Sequence, residues 1–142
     1  MSVAFARIAD AHIGLDEHVA AVAARQHGAV ATFIGLVRDH DPSVSGEVTH
    51  LDYSAHPDAH RVLERIALEV TTASAVPVSV AVSHRIGLLG VGEAAIVAAA
   101  ASAHRAPAFE ICRELVERVK AEVPLWKREI LSDGTHTWVG IS

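Results

Sequence analysis

Apolar positions along the chain repeat with two periods, and the switches between them mark out the elements. Leu15-Asp16-Glu17 predicts a helix start with Asp16 as N-cap, and Gly28 its close. Residues 29–37 are short, β-branched and apolar, the pattern of a buried strand running into Arg38. Residues 39–46 (DHDPSVSG) read as a polar loop. Residues 47–55 then alternate, with Leu51, Tyr53 and Ala55 on one face of a strand. Pro57 suits a first helical turn, and Val62, Ile66, Glu69 and Val70 carry near-helical spacing to about Ser74.

The clearest strand follows, as Val76, Val78, Val80, Val82, His84 and Ile86 alternate. Residues 87–93 (GLLGVGE) predict a glycine-rich connection, and residues 94–103 a second apolar strand that closes a hairpin. Pro107 predicts the start of a third helix, with the stripe Phe109, Cys112, Val116, Val119 and Val123, and Pro124 ends it. Residues 125–131 and 135–141 flank Asp133-Gly134, a hairpin turn. Three helices spaced irregularly among strands and hairpins predict an α+β fold, as one domain over residues 1–142.

Composition narrows the function. The chain is 51% hydrophobic and 20% charged, which favours a packed core over disorder. Its net charge of −5 argues against sequence-blind nucleic-acid binding, which needs a basic face. The longest apolar stretch, within residues 94–103, falls well short of the roughly 20 residues that span a bilayer. Arg7 and Asp10 interrupt any signal-peptide core, so a soluble, cytoplasmic protein is expected. A single cysteine excludes an internal disulfide, and Cys112 on its apolar stripe reads as a core thiol. His56 and His60 have the spacing of a two-histidine metal site but suggest no third ligand, so no metal is expected.

Of the 12 basic residues ten are Arg, and the two lysines, Lys120 and Lys127, lie close together. Arginine cannot give up its proton at ordinary pH, so a chain that otherwise uses arginine points to these two amines as chemistry. Arg38, His84-Arg85, His104-Arg105, Lys120 and Lys127-Arg128 all fall at element ends. Such ends are where sites are built, and converging cations on an acidic protein suit a small anion such as a phosphate.

The runs GAVATFIGLVRDHD, SHRIGLLGVGE, SAHRAPAFEICRELVERVKAEVPLWKRE and DGTHTWV, in this order over residues 28–139, resemble the catalytic (large) subunits of molybdopterin synthase. The resemblance implies an α/β hammerhead-type fold and a homodimer that binds a small ubiquitin-like sulfur carrier at each end, forming a heterotetramer. The carrier's C-terminal Gly-Gly thiocarboxylate would enter the large subunit. There it would pass sulfur to cyclic pyranopterin monophosphate, making the dithiolene of molybdopterin without a resident cofactor. Family roles carry over to Lys120 and Lys127 as catalytic lysines and to Arg38, His104 and Arg105 as pterin and phosphate contacts. Leu36, Val37, Arg128 and Glu129 would line the site.

Anionic substrates agree with the cationic element ends. Within that scheme, Lys120 is assigned to the carrier's terminal carbonyl and Lys127 to substrate orientation. Neighbouring cations are expected to lower the Lys120 pKa against the opposing helix dipole. Two other readings fit the same residues: a non-catalytic anion-binding module and a histidine-rich metal binder. The apolar strands over residues 76–86 and 94–103 are expected to bury part of their surface in the homodimer.

Overall fold

The computed structural model describes residues 2–42 and 46–139. Among these residues eleven elements run in the order β1 (Ser2–Ala9), α1 (Leu15–Val22), β2 (Ala29–Leu36), β3 (Val48–Ala55), α2 (Ala59–Ala73), β4 (Val78–Arg85), β5 (Gly87–Gly90), β6 (Ala94–Ser102), α3 (Arg105–Glu122), β7 (Leu125–Leu131) and β8 (His136–Val139). They build two four-stranded sheets, ordered β1-β4-β6-β2 and β5-β3-β7-β8. The β1–β4 pair is parallel and the other pairs are antiparallel. The architecture is α+β.

Alternation divides the first sheet between two cores. Val78, Val80 and Val82 of β4, with Ile96, Ala98 and Ala100 of β6, face Leu63, Ile66 and Val70 of α2 and Leu115 and Val119 of α3. Ala81, Ala99 and Ala101 face the other way, against Val22 of α1. The alanines leave little between sheet and helix, so α1 can lie close. His18 ties α1 down: its Nδ1–H donates to the Gly14 carbonyl at 2.5 Å, and its Nε2 accepts from the Ser83 hydroxyl at 2.8 Å. Burial lowers its pKa and favours this neutral form.

Several expectations need correction. No strand is predicted before α1, yet β1 forms, because a partner 77 positions away supplies its ladder (Ser2 against Ser79). Gly14, not Asp16, is the N-cap of α1; Asp16 and Glu17 lie in the first turn, beside the positive end of the helix. The helix ends at Val22, and Gly28 has another duty: a Cβ there would stand 2.7 Å from the Ala103 carbonyl oxygen. The residues predicted as a plain connection contain β5, which pairs with β3 and buries Leu89 in a smaller core with Val37, Val48, Leu51 and Tyr53.

β4 and β6 are the inner strands of their sheet, so α1, α2 and α3 cover them within one chain, and the expectation that a homodimer buries them is wrong. A run of exposed apolar residues lies instead on the edge strand β2, as Val30, Phe33, Ile34 and Leu36, with Phe109 of α3 nearby. The Asp133-Gly134 turn forms as expected, with Gly134 at φ +85°. Positions 140 and 141 of the last predicted strand lie outside the described residues.

Candidate active site

Two sequence features bring the lysines together. Lys120 sits in the last turn of α3, and Pro124, which cannot continue a helix, redirects the chain into β7. β7 then pairs antiparallel with β3, setting Lys127 opposite Tyr53 and Glu129 opposite Leu51. Period-two alternation puts all four of those side chains on one face. Arg38, His40 and Asp41, from the segment after β2, close a cavity of about 130 Å³ whose lining also includes Leu36, Leu51, Tyr53, Lys120, Lys127 and Glu129.

Of the residues singled out from the sequence, Leu36, Arg38, Lys120, Lys127 and Glu129 meet here. Val37 does not line the cavity; it alternates inward to the smaller core and is 3% exposed. Arg128 is on the opposite face of β7, where its guanidinium donates to Asp52 at 2.9 Å and lies over the Trp138 ring. His104 and Arg105 are at the other end of α3, His104 as its N-cap beside His27 and Pro107. Fifteen positions of helix separate Arg105 from Lys120, about 22 Å along the axis. Within one chain those two do not reach the lysines.

Burial is the larger reason why the Lys120 pKa is lowered, with the Lys127 charge second. The expected direction holds, but desolvation leads. Glu129 moves the opposite way: burial, then Asp41, raise its pKa, against the pull of Lys127 and Arg38. Burial and Glu129 push the Tyr53 hydroxyl up to about 12, so it stays a neutral donor at ordinary pH. Opposed shifts in a base and an acid within one cavity are how a site sorts its proton-transfer roles.

Tyr53, His40 and Asp41 are additions that the sequence pattern does not single out as site residues, whereas His84, one of the cationic element ends, packs on Tyr53 without lining the cavity. His84, 1% exposed, packs against the Tyr53 ring with centroids 5.0 Å apart. Its Nδ1–H donates to the Arg85 carbonyl at 2.9 Å. Burial holds its pKa down at about 4, with the Lys120 and Lys127 charges adding to the effect. The alternation of β4 marks His84 as inward-facing, but only the contact between the two sheets places it against Tyr53. Cys112 is buried, and burial raises its thiol pKa, as befits a core residue. His56 Nδ1 accepts from the Asp58 backbone and His60 Nε2 bonds the Ala6 carbonyl, so the two rings have separate partners. Among the described residues no cluster of His, Cys, Asp or Glu could hold a metal ion.

Against known families, the sequence model of the MoaE protein family matches residues 8–122. The chain belongs to the MoaE protein family. Among MoaE relatives, the molybdopterin synthase catalytic subunit 1 of Mycobacterium tuberculosis is 41% identical over 137 residues, covering 96% of this chain and 90% of that protein. The molybdopterin synthase catalytic subunit of Bacillus subtilis is 40% identical over 130 residues, covering 90% and 80%. The crystal structure of molybdopterin synthase from Staphylococcus aureus superposes with a TM-score of 0.85 at 29% identity, covering 96% of this chain and 97% of that one. The fold also matches, at TM-score 0.65 and 18% identity, a chain in the complex of subunits 1 and 2 of the molybdopterin-converting factor from Helicobacter pylori, covering 81% and 73%.

Proposed function

We propose that this MoaE protein is the catalytic subunit of a cytoplasmic molybdopterin synthase. In this reading it transfers sulfur from the thiocarboxylated C-terminus of a small ubiquitin-like carrier to cyclic pyranopterin monophosphate, forming the molybdopterin dithiolene. The observation that carries the reading is Lys120, an amine whose pKa is lowered in a cavity shared with Lys127 and Arg38. A module that only bound anions would gain from fully charged groups and would have no use for an easily deprotonated amine. Arg38 and Lys127 supply fixed positive charge for a thiocarboxylate and a cyclic phosphate, while Lys120 acts at the carrier's terminal carbonyl.

His104 and Arg105 serve the same substrate in this reading, and at about 22 Å from Lys120 along α3 they can do so only from a second copy. The exposed apolar edge of β2 supports a homodimer, and one carrier on each copy gives a heterotetramer. Mixing the purified chain with thiocarboxylated carrier and the pterin precursor tests the function. Dithiolene product and desulfurated carrier are expected; intact thiocarboxylate after prolonged incubation would reject the reading.

A further inference from the structure

Glu129 and Asp41 enter the lysine cavity from different elements, β7 and the segment after β2. Glu129 is 2% exposed, and the Asp41 side chain, in the same cavity, comes within hydrogen-bonding reach of it and raises its pKa. Ionised carboxylates are acceptors only, so a bond between two of them requires one to keep its proton. Among the described residues, the Glu129 Oε1 atom also has no hydrogen-bond partner, though it is buried. Leaving such an acceptor unsatisfied is costly, and a donor group on a bound substrate would relieve it.

We propose that Glu129 and Asp41 share one proton and that this carboxyl pair is the acid of the lysine cavity, protonating the oxygen that sulfur displaces from the pterin. The inference rests on the sulfur-transfer reading above. As the thiocarboxylate sulfur forms its bond to a pterin carbon, the carbon–oxygen bond breaks and its electron pair goes to oxygen. That oxygen takes the shared proton and leaves neutral. The carrier's acyl group now sits on sulfur as a thioester. Water cleaves it: the acyl–sulfur bond breaks, an acyl–oxygen bond forms, and a proton from that water restores the pair. No oxidant or reductant is consumed.

The surroundings favour this division of labour. Glu129 is faced by Lys127 on its own strand, Leu51 and Tyr53 from β3, Lys120 from α3, and Arg38 and His40 from the segment after β2. Lys127 and Arg38 draw the Glu129 pKa down, yet burial and Asp41 outweigh them and the net direction is upward. Lys120 is shifted down in the same space, leaving the carboxyl pair as donor and the amine as base or nucleophile.

The test combines single-turnover sulfur transfer with carboxyl ¹³C NMR of glutamate-labelled protein, Glu129 being assigned by its loss in Glu129→Gln. Glu129→Gln keeps the shape without the proton; the transfer rate should fall by about 10²-fold or more while carrier affinity holds. In Asp41→Asn the amide donates to an ionised Glu129, so the Glu129 midpoint should fall towards an ordinary glutamate. The alkaline limb of the pH–rate profile should fall with it. Asp41→Asn carries the test should Glu129→Gln fail to fold. An ordinary Glu129 midpoint in the unaltered protein, or a full transfer rate in Glu129→Gln, would overturn the proposal. If the unaltered protein transfers no sulfur, the reaction itself is wrong, and the raised Glu129 midpoint then records a shared proton with no acid role.

Discussion

Burial strips water from the Lys120 ammonium, and the nearby Lys127 charge adds repulsion, so the neutral amine is closer to hand than on an exposed lysine. Lys120→Arg keeps the charge but removes the deprotonatable amine. Sulfur transfer should then drop by roughly 10²–10⁴-fold, the span of a lost acid–base or nucleophilic group, with carrier binding preserved. Lys127→Arg retains what that residue contributes to orientation and should cost on the order of tenfold. Single-turnover assays with preformed thiocarboxylate measure both, and equal small losses would mean that charge alone is needed. His84 makes a separate prediction about stability. Its folded pKa is lowered to about 4 from an ordinary 6.5, so between those values the unfolded chain binds one more proton. Stability from this group is complete above about pH 6.5 and is lost as pH falls towards 4, about 3 kcal/mol in all. The groups facing it are Lys120, Lys127 and Tyr53, and they do not reverse the sign. Urea unfolding from pH 7 to 4.5 should show the loss, and His84→Gln should flatten it.

At the scale of elements, what was legible in the sequence followed local pattern, and what was not depended on pairing. The alternation of residues 76–86 and the proline after α3 are local signals, and β4 and the end of α3 fall where they point. β1 and β5 obtain their hydrogen bonds from strands distant in sequence, and four residues such as GLLG are too few to display a period. The site divides along the same line. Arg38, Lys120 and Lys127 stand out as residue types at element ends. Tyr53 and Asp41 join them only through the β3–β7 register and the path of the chain after β2, which no spacing announces. Arg128 shows the converse, since one position along a strand reverses the face. The short β5 nonetheless anchors the smaller core. Leu89→Ala removes a fully buried side chain and should cost about 2–5 kcal/mol in urea unfolding. Leu88→Ala, at a neighbouring exposed position, should stay within about 0.5 kcal/mol.

At the scale of the whole molecule, α3 links two groups of side chains that the proposed function joins in one site and that one chain keeps apart. His104 and Arg105 stand at its first turn and Lys120 in its last, so a single copy presents the two groups in different places. The edge strand β2 lies between α3 and open solvent, with Val30, Phe33, Ile34 and Leu36 exposed; Leu36 also borders the lysine cavity. A second copy packed along this edge would cover apolar surface close to the cavity mouth and bring its own α3 start near it. Isologous contact makes the arrangement reciprocal, giving two sites that each draw on both copies. Complementation tests it. Lys120→Arg and Arg105→Ala chains should each be nearly inactive alone. Co-expressed, half of the dimers are mixed, and each mixed dimer carries one site with both defects and one with neither. Activity should therefore return to about a quarter of the unaltered level. If the co-expressed pair forms mixed dimers and stays as inactive as its parents, each site is confined to one copy, and Arg105 has no part in the lysine cavity.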